Sequence, residues 1–127
     1  MTEPRFALTL NAGLLAGVLT GIAANFAHVV FGGPQGLYFP QLAPLPVFGA
    51  TLAVGLALAF VWRALATRAH ARRTFAILIL AGAAVATALV GLTPGPAHFL
   101  RVMIPVHAVV ALGVFLVIPR AMTDLAE

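Results

Sequence analysis

The sequence predicts an all-α fold: a four-helix bundle integral to a membrane, its spans antiparallel and both termini on the cytoplasmic side. Three observations lead there. The chain is 62% hydrophobic and 8% charged, with a mean hydropathy of +1.09; an ordinary soluble domain carries roughly 25% charge. The apolar residues are gathered into long stretches, which place spans over 6–31, 44–62, 74–93 and 100–119. Each approaches or exceeds the ~20 residues that cross a bilayer at about 1.5 Å rise per residue. The arginines, finally, fall outside these stretches, with the exception of Arg101 near the start of the last. One transmembrane domain over residues 1–127 is expected, with no room for a soluble domain beside it.

The first span carries Gly13, Gly17, Gly21 and Asn25 at a four-residue step, with His28 following. A neighbouring row holds Ala12, Ala16, Thr20, Ala24 and His28. Within lipid, helices gain nothing hydrophobic by touching one another. They associate through close backbone approach and interhelical hydrogen bonds, and small residues at this step permit both. Gly13, Gly17 and Gly21 are therefore assigned to helix packing. The opening Met1-Thr2-Glu3-Pro4-Arg5 is weakly basic, and the apolar run far exceeds a signal-peptide core of about 7–15 residues. Gly21-Ile22-Ala23 would serve as a small-x-small cleavage site, but a retained helix is the expectation.

The first connection, 32–41, has no charge and is rich in glycine and proline, which rules out continuous helix. Tyr38 and Phe39 suit the headgroup level, where aromatic rings gather. The second span starts with Pro44 and Pro46, which a first turn tolerates because its N–H groups lack helical partners anyway. Gly49, Ala53 and Ala57 form its small row, and Trp62 and Arg63 close it. The third span runs into Thr93-Pro94-Gly95-Pro96; Thr87 is expected to bond back onto its own helix, as membrane hydroxyls commonly do. The fourth passes through Arg101, Pro105 and His107 and is expected to end at Pro119-Arg120.

Charge then sets orientation. The formal charge is +4, with seven arginines and no lysine. Arg5, Arg63, Arg68, Arg72, Arg73 and Arg120 lie on one side of the four-span reading and Arg101 alone on the other. The positive-inside rule puts the richer side in the cytoplasm. Topology and anionic lipid headgroups account for these arginines, so no nucleic-acid partner is expected. The lipid bilayer is the partner implied, with a homo-oligomer or a membrane partner protein compatible with the glycine rows. The absence of cysteine excludes disulfides, thiolate metal sites and thiol redox chemistry.

No acidic residue lies inside a span, whereas proton-coupled carriers rely on a buried Asp or Glu, or on a histidine relay. The polar residues gather instead toward the outer side: Asn25, His28, His98, Arg101 and His107. His28 sits roughly 5 Å and His107 roughly 8 Å inside their helix ends at helical rise. Three readings follow for this group. It is a polar cluster that satisfies itself in lipid, a ligand site in which His28 and His107 hold a haem or, with His98, a transition metal such as zinc or copper, or part of a proton or solute path. No cofactor is expected on the first reading. Arg101 near a helix N-terminus opposes the helix dipole, and a lipid phosphate is its natural counter-charge.

The last span contains Met103-Ile104-Pro105-Val106-His107-Ala108-Val109-Val110. With Asn25 late in the first span, the overall length and the four-span pattern, this stretch resembles a family of small, uncharacterised four-helix bacterial integral membrane proteins, a domain of unknown function. The resemblance implies a fold and a bacterial plasma (inner) membrane address, without an activity. The functional expectation is a non-catalytic structural or accessory membrane component. The alternatives are a haem- or metal-binding redox module and a small channel or carrier formed as a dimer.

Overall fold

The computed structural model describes residues 3–124. Among them stand four α-helices and no strand: α1 (Glu3–Gly32), α2 (Pro44–Leu65), α3 (Ala71–Leu92) and α4 (Phe99–Asp124). All four are long and apolar enough to cross a membrane. The helices overrun several of the apolar stretches because polar residues continue a helix where lipid ends. α1 begins at Glu3, three residues before its apolar stretch. α3 begins at Ala71 within the arginine-rich connection. α4 runs past Pro119 to Asp124, because a proline removes a single ladder donor and does not oblige the helix to stop. One turn earlier than that proline's successor, the Leu116 carbonyl also accepts from Arg120 Nη1 at 3.0 Å.

α1 is the element against which α2 and α4 close. Its glycine row meets α2 at backbone distance. A methyl group added to Gly13 or Gly17 would lie 2.9 Å from Leu56 Cα or 2.7 Å from Leu52 Cα, and one on Gly21 would strike the Phe48 ring and Thr51 Oγ1. In return, a methyl on Gly55 would lie 2.5 Å from the Gly13 carbonyl oxygen and 2.8 Å from Gly17 N. Real side chains do not approach this closely, so only glycine permits the contact. The buried row of α2 is accordingly Val47, Thr51, Gly55 and Ala59. The expected row Gly49, Ala53 and Ala57 is exposed. It sits two residues round the helix, about 200° and hence on the opposite face. Both rows are small; the one that brings glycine to glycine wins.

The second row of α1, Ala12, Ala16, Thr20 and Ala24, is fully buried. It faces α4, where the Thr20 methyl fills the space that a side chain on Gly113 would need. α3 rests on α4 and more lightly on α2. Of its side chains only Phe75 and Ile79 are buried. Phe75 lies beneath Trp62, ring centroids 5.1 Å apart. Arg72 sits over the Phe115 ring at 5.5 Å, a cation–π contact that ties the start of α3 to α4.

Apolar burial falls into two clusters. Ala16, Ala59, Leu65, Phe75, Ile79, Val114 and Ile118 form one, at the end bearing the second connection. Ala24, Ala27, Phe39, Leu42, Val47, Val102 and Val106 form the other, at the end bearing the first and third connections. Here the first connection folds inward through two 3₁₀ turns, Gly33–Gln35 and Pro40–Leu42. Gly36 between them has φ +67°, a left-handed turn that glycine makes without cost. Phe39 is buried edge-to-face on Phe99, centroids 4.8 Å apart, while Tyr38 stays exposed. The headgroup position expected of both aromatics therefore suits Tyr38 alone.

Candidate functional site

The five polar residues singled out in the sequence have separate surroundings. Asn25 Nδ2 donates to the Gly21 carbonyl of its own helix at 2.9 Å. His28 packs its ring edge-on to Tyr38, centroids 6.4 Å apart. Its Nε2 is closed off without a hydrogen-bond partner. His98 is exposed and precedes α4 with φ +62°; Arg101 N bonds its carbonyl at 3.1 Å. The Arg101 side chain is exposed. His107 faces α3, its Nδ1 2.7 Å from Thr87 Oγ1.

Depth separates the histidines further. With α4 beginning at Phe99, His107 lies eight residues in, roughly 12 Å at helical rise. His28 is four residues from the end of α1, roughly 6 Å by the same rise. Pro105, inside α4, leaves the carbonyl of Arg101 without its ladder donor. Among the described residues no three His, Cys, Asp or Glu side chains come together as a metal-binding group, so the three-histidine set considered for zinc or copper is not assembled.

The pairing that sequence reasoning missed is His107 with Thr87. Thr87 does bond its own backbone, donating to the Ala83 carbonyl at 2.8 Å, and also spans to α4. No pattern in the sequence sets the register of α3 against α4, so the partner of His107 was not legible. The Thr87 hydroxyl thus lies between the Ala83 carbonyl and the His107 ring, and the direction of its contact with Nδ1 depends on the tautomer of that ring.

His107 lines a cavity of about 540 Å³ between α2, α3 and α4. The cavity exists because facing positions are small: Ala50 and Ala57 on α2, Gly82, Ala83 and Ala86 on α3. A methyl on Gly82 would meet nothing within 4 Å. Along α4 the lining runs from Phe99 to Val114, roughly 22 Å at helical rise, with His107 near the middle. Its other polar lining residues are Thr51, which bonds the Phe48 carbonyl, and Gln41, exposed in the first connection. His107 also lines a second groove, of about 740 Å³, between α3 and α4. Size, apolar walls and few polar groups are the properties of small-molecule sites between bundle helices, which enclose roughly 300–1,000 Å³. Compared with known proteins, the chain matches no family model, no curated protein and no solved structure.

Proposed function

We propose that the chain is a multi-pass membrane protein of the bacterial plasma membrane that acts as a non-catalytic structural or accessory component. The observation that carries this reading is how five polar side chains within the spans are used. Thr9, Thr20, Asn25, Thr51 and Thr87 each donate to a carbonyl three or four residues earlier in the same helix. Such bonds satisfy polar groups where no water is available. They serve the fold in lipid, and they use the one hydroxyl proton of each of these threonines.

Antiparallel packing of α1 and α2 is supported by the order of their contacts, Gly13 with Leu56, Gly17 with Leu52 and Gly21 with Phe48. Short connections carry the same alternation to α3 and α4, and the arginine distribution favours both termini inside. The bacterial address rests on the family resemblance of Asn25 and residues 103–110. Alkaline extraction of membranes tests the reading: the chain should remain in the lipid pellet, and release with peripheral proteins would refute it. The unpartnered Nε2 of His28 favours one second reading, a haem held with His107. A Soret band lost in His28→Ala would establish it; a colourless, iron-free protein from haem-supplemented cells would dismiss it.

A further inference from the structure

We propose that α3 is a lid on the bundle, which pivots at its start and is held shut along its second half by the contact between Thr87 and His107. The two halves of this helix are packed differently. Near the start, Phe75 is fully buried beneath Trp62, ring centroids 5.1 Å apart, and Ile79 is buried one turn further on. Both belong to the apolar cluster that includes Leu65, Val114 and Ile118. Arg72 adds its cation–π contact with the Phe115 ring at 5.5 Å. Beyond Ile79 no side chain of α3 is buried, and the face that continues toward the bundle, Ala83, Ala86, Thr87 and Val90, is only half-buried. This half stands between two spaces: the cavity of about 540 Å³ that α2 and α4 also line, and the groove of about 740 Å³ shared with α4 alone. Ala83 lines both.

Segments with few buried contacts are the ones that open locally. Parting two apolar faces in lipid costs little, because hydrocarbon tails replace the side chains that withdraw. The hydrogen bond between Thr87 Oγ1 and His107 Nδ1, 2.7 Å, is then the contact that holds the second half of α3 against α4, whichever partner donates. The third connection leaves slack for the motion. Residues 93–98 are exposed throughout. Six residues reach roughly 20 Å when extended, against about 8–10 Å between the axes of packed helices. Opening at this end uncovers the cavity sideways to the bilayer while the pivot stays packed. The lid goes beyond the structural role proposed above, which requires no motion.

The chain has no cysteine, so spin labels can be placed in pairs and their separations measured by electron–electron double resonance in phosphatidylcholine nanodiscs. Ala7→Cys with Thr74→Cys joins α1 to the pivot end of α3, and Val29→Cys with Leu89→Cys joins α1 to the lid end; all four positions are exposed. The first pair should give one narrow distance peak. The second should give an added population at longer distance. Thr87→Val should raise the ratio of open to closed at the second pair about three- to eighteenfold, the worth of one interhelical hydrogen bond in lipid, and leave the first pair unchanged. His107→Leu removes the same contact from the other side and should act alike, which keeps the test decisive where the Thr87 variant does not fold. Single narrow peaks at both pairs, with and without these substitutions, would overturn the lid. Equal broadening at both pairs would overturn the pivot, and with it the proposal.

Discussion

Two histidines end connections in the left-handed region, His70 at φ +61° before α3 and His98 at φ +62° before α4. Glycine occupies that region freely, whereas other L-residues incur of order 1–2 kcal/mol there. His98→Gly should therefore leave the protein as stable or raise its stability by up to about 1 kcal/mol, net of glycine's greater freedom when unfolded. His98→Val should lower it by more than that; thermal unfolding in detergent reads both. His98 thus has a local conformational role that its residue type concealed in the sequence. Thr87→Val tests the other residue-scale claim. Losing one cross-helix hydrogen bond in lipid costs about 0.6–1.7 kcal/mol, and the His107 ring is then free to change tautomer. The imidazole nitrogen resonances of labelled protein should shift in Thr87→Val; unchanged resonances would mean that the Thr87 contact does not set the tautomer of the ring.

Among elements, α1 was the most legible. A four-residue glycine step is a one-body pattern: it can be read along one helix without knowing the partner, and both of its small rows are buried. The partner face on α2 was not legible, since Gly49, Ala53 and Ala57 make as regular a row as Val47, Thr51, Gly55 and Ala59. Only the packed pair distinguishes them. Gly55→Ala should destabilise by about 1–3 kcal/mol, because backbone on α1 cannot give way. Gly49→Ala, with open space around it, should be neutral or gain up to about 1 kcal/mol from helix propensity. Equal effects at the two sites would mean that α1 and α2 close on another face. α3 was legible as a span and illegible as a packing unit, because its sides are apolar all round and its contacts few. That light packing is also what leaves the cavity. The polar group on the first and fourth spans was readable as residues, but not as a site, since depth depends on where α4 begins.

For the whole molecule, composition fixed the class before any contact was known: four apolar stretches in 127 residues leave lipid as the solvent. In that solvent the bundle closes by backbone approach on α1, and α3 completes it without filling it. The orientation proposed from charge is the claim on which the inside and outside of every other feature depend. Cysteine labelling is the direct measurement, since the chain has no cysteine of its own. Ala69→Cys in the second connection and Gln35→Cys in the first report opposite faces. With an impermeant maleimide on intact cells, Gln35→Cys should be labelled and Ala69→Cys should react only after the membrane is opened. Labelling of Ala69→Cys from outside, or of both positions from the same side, would contradict a four-span bundle with its termini in the cytoplasm.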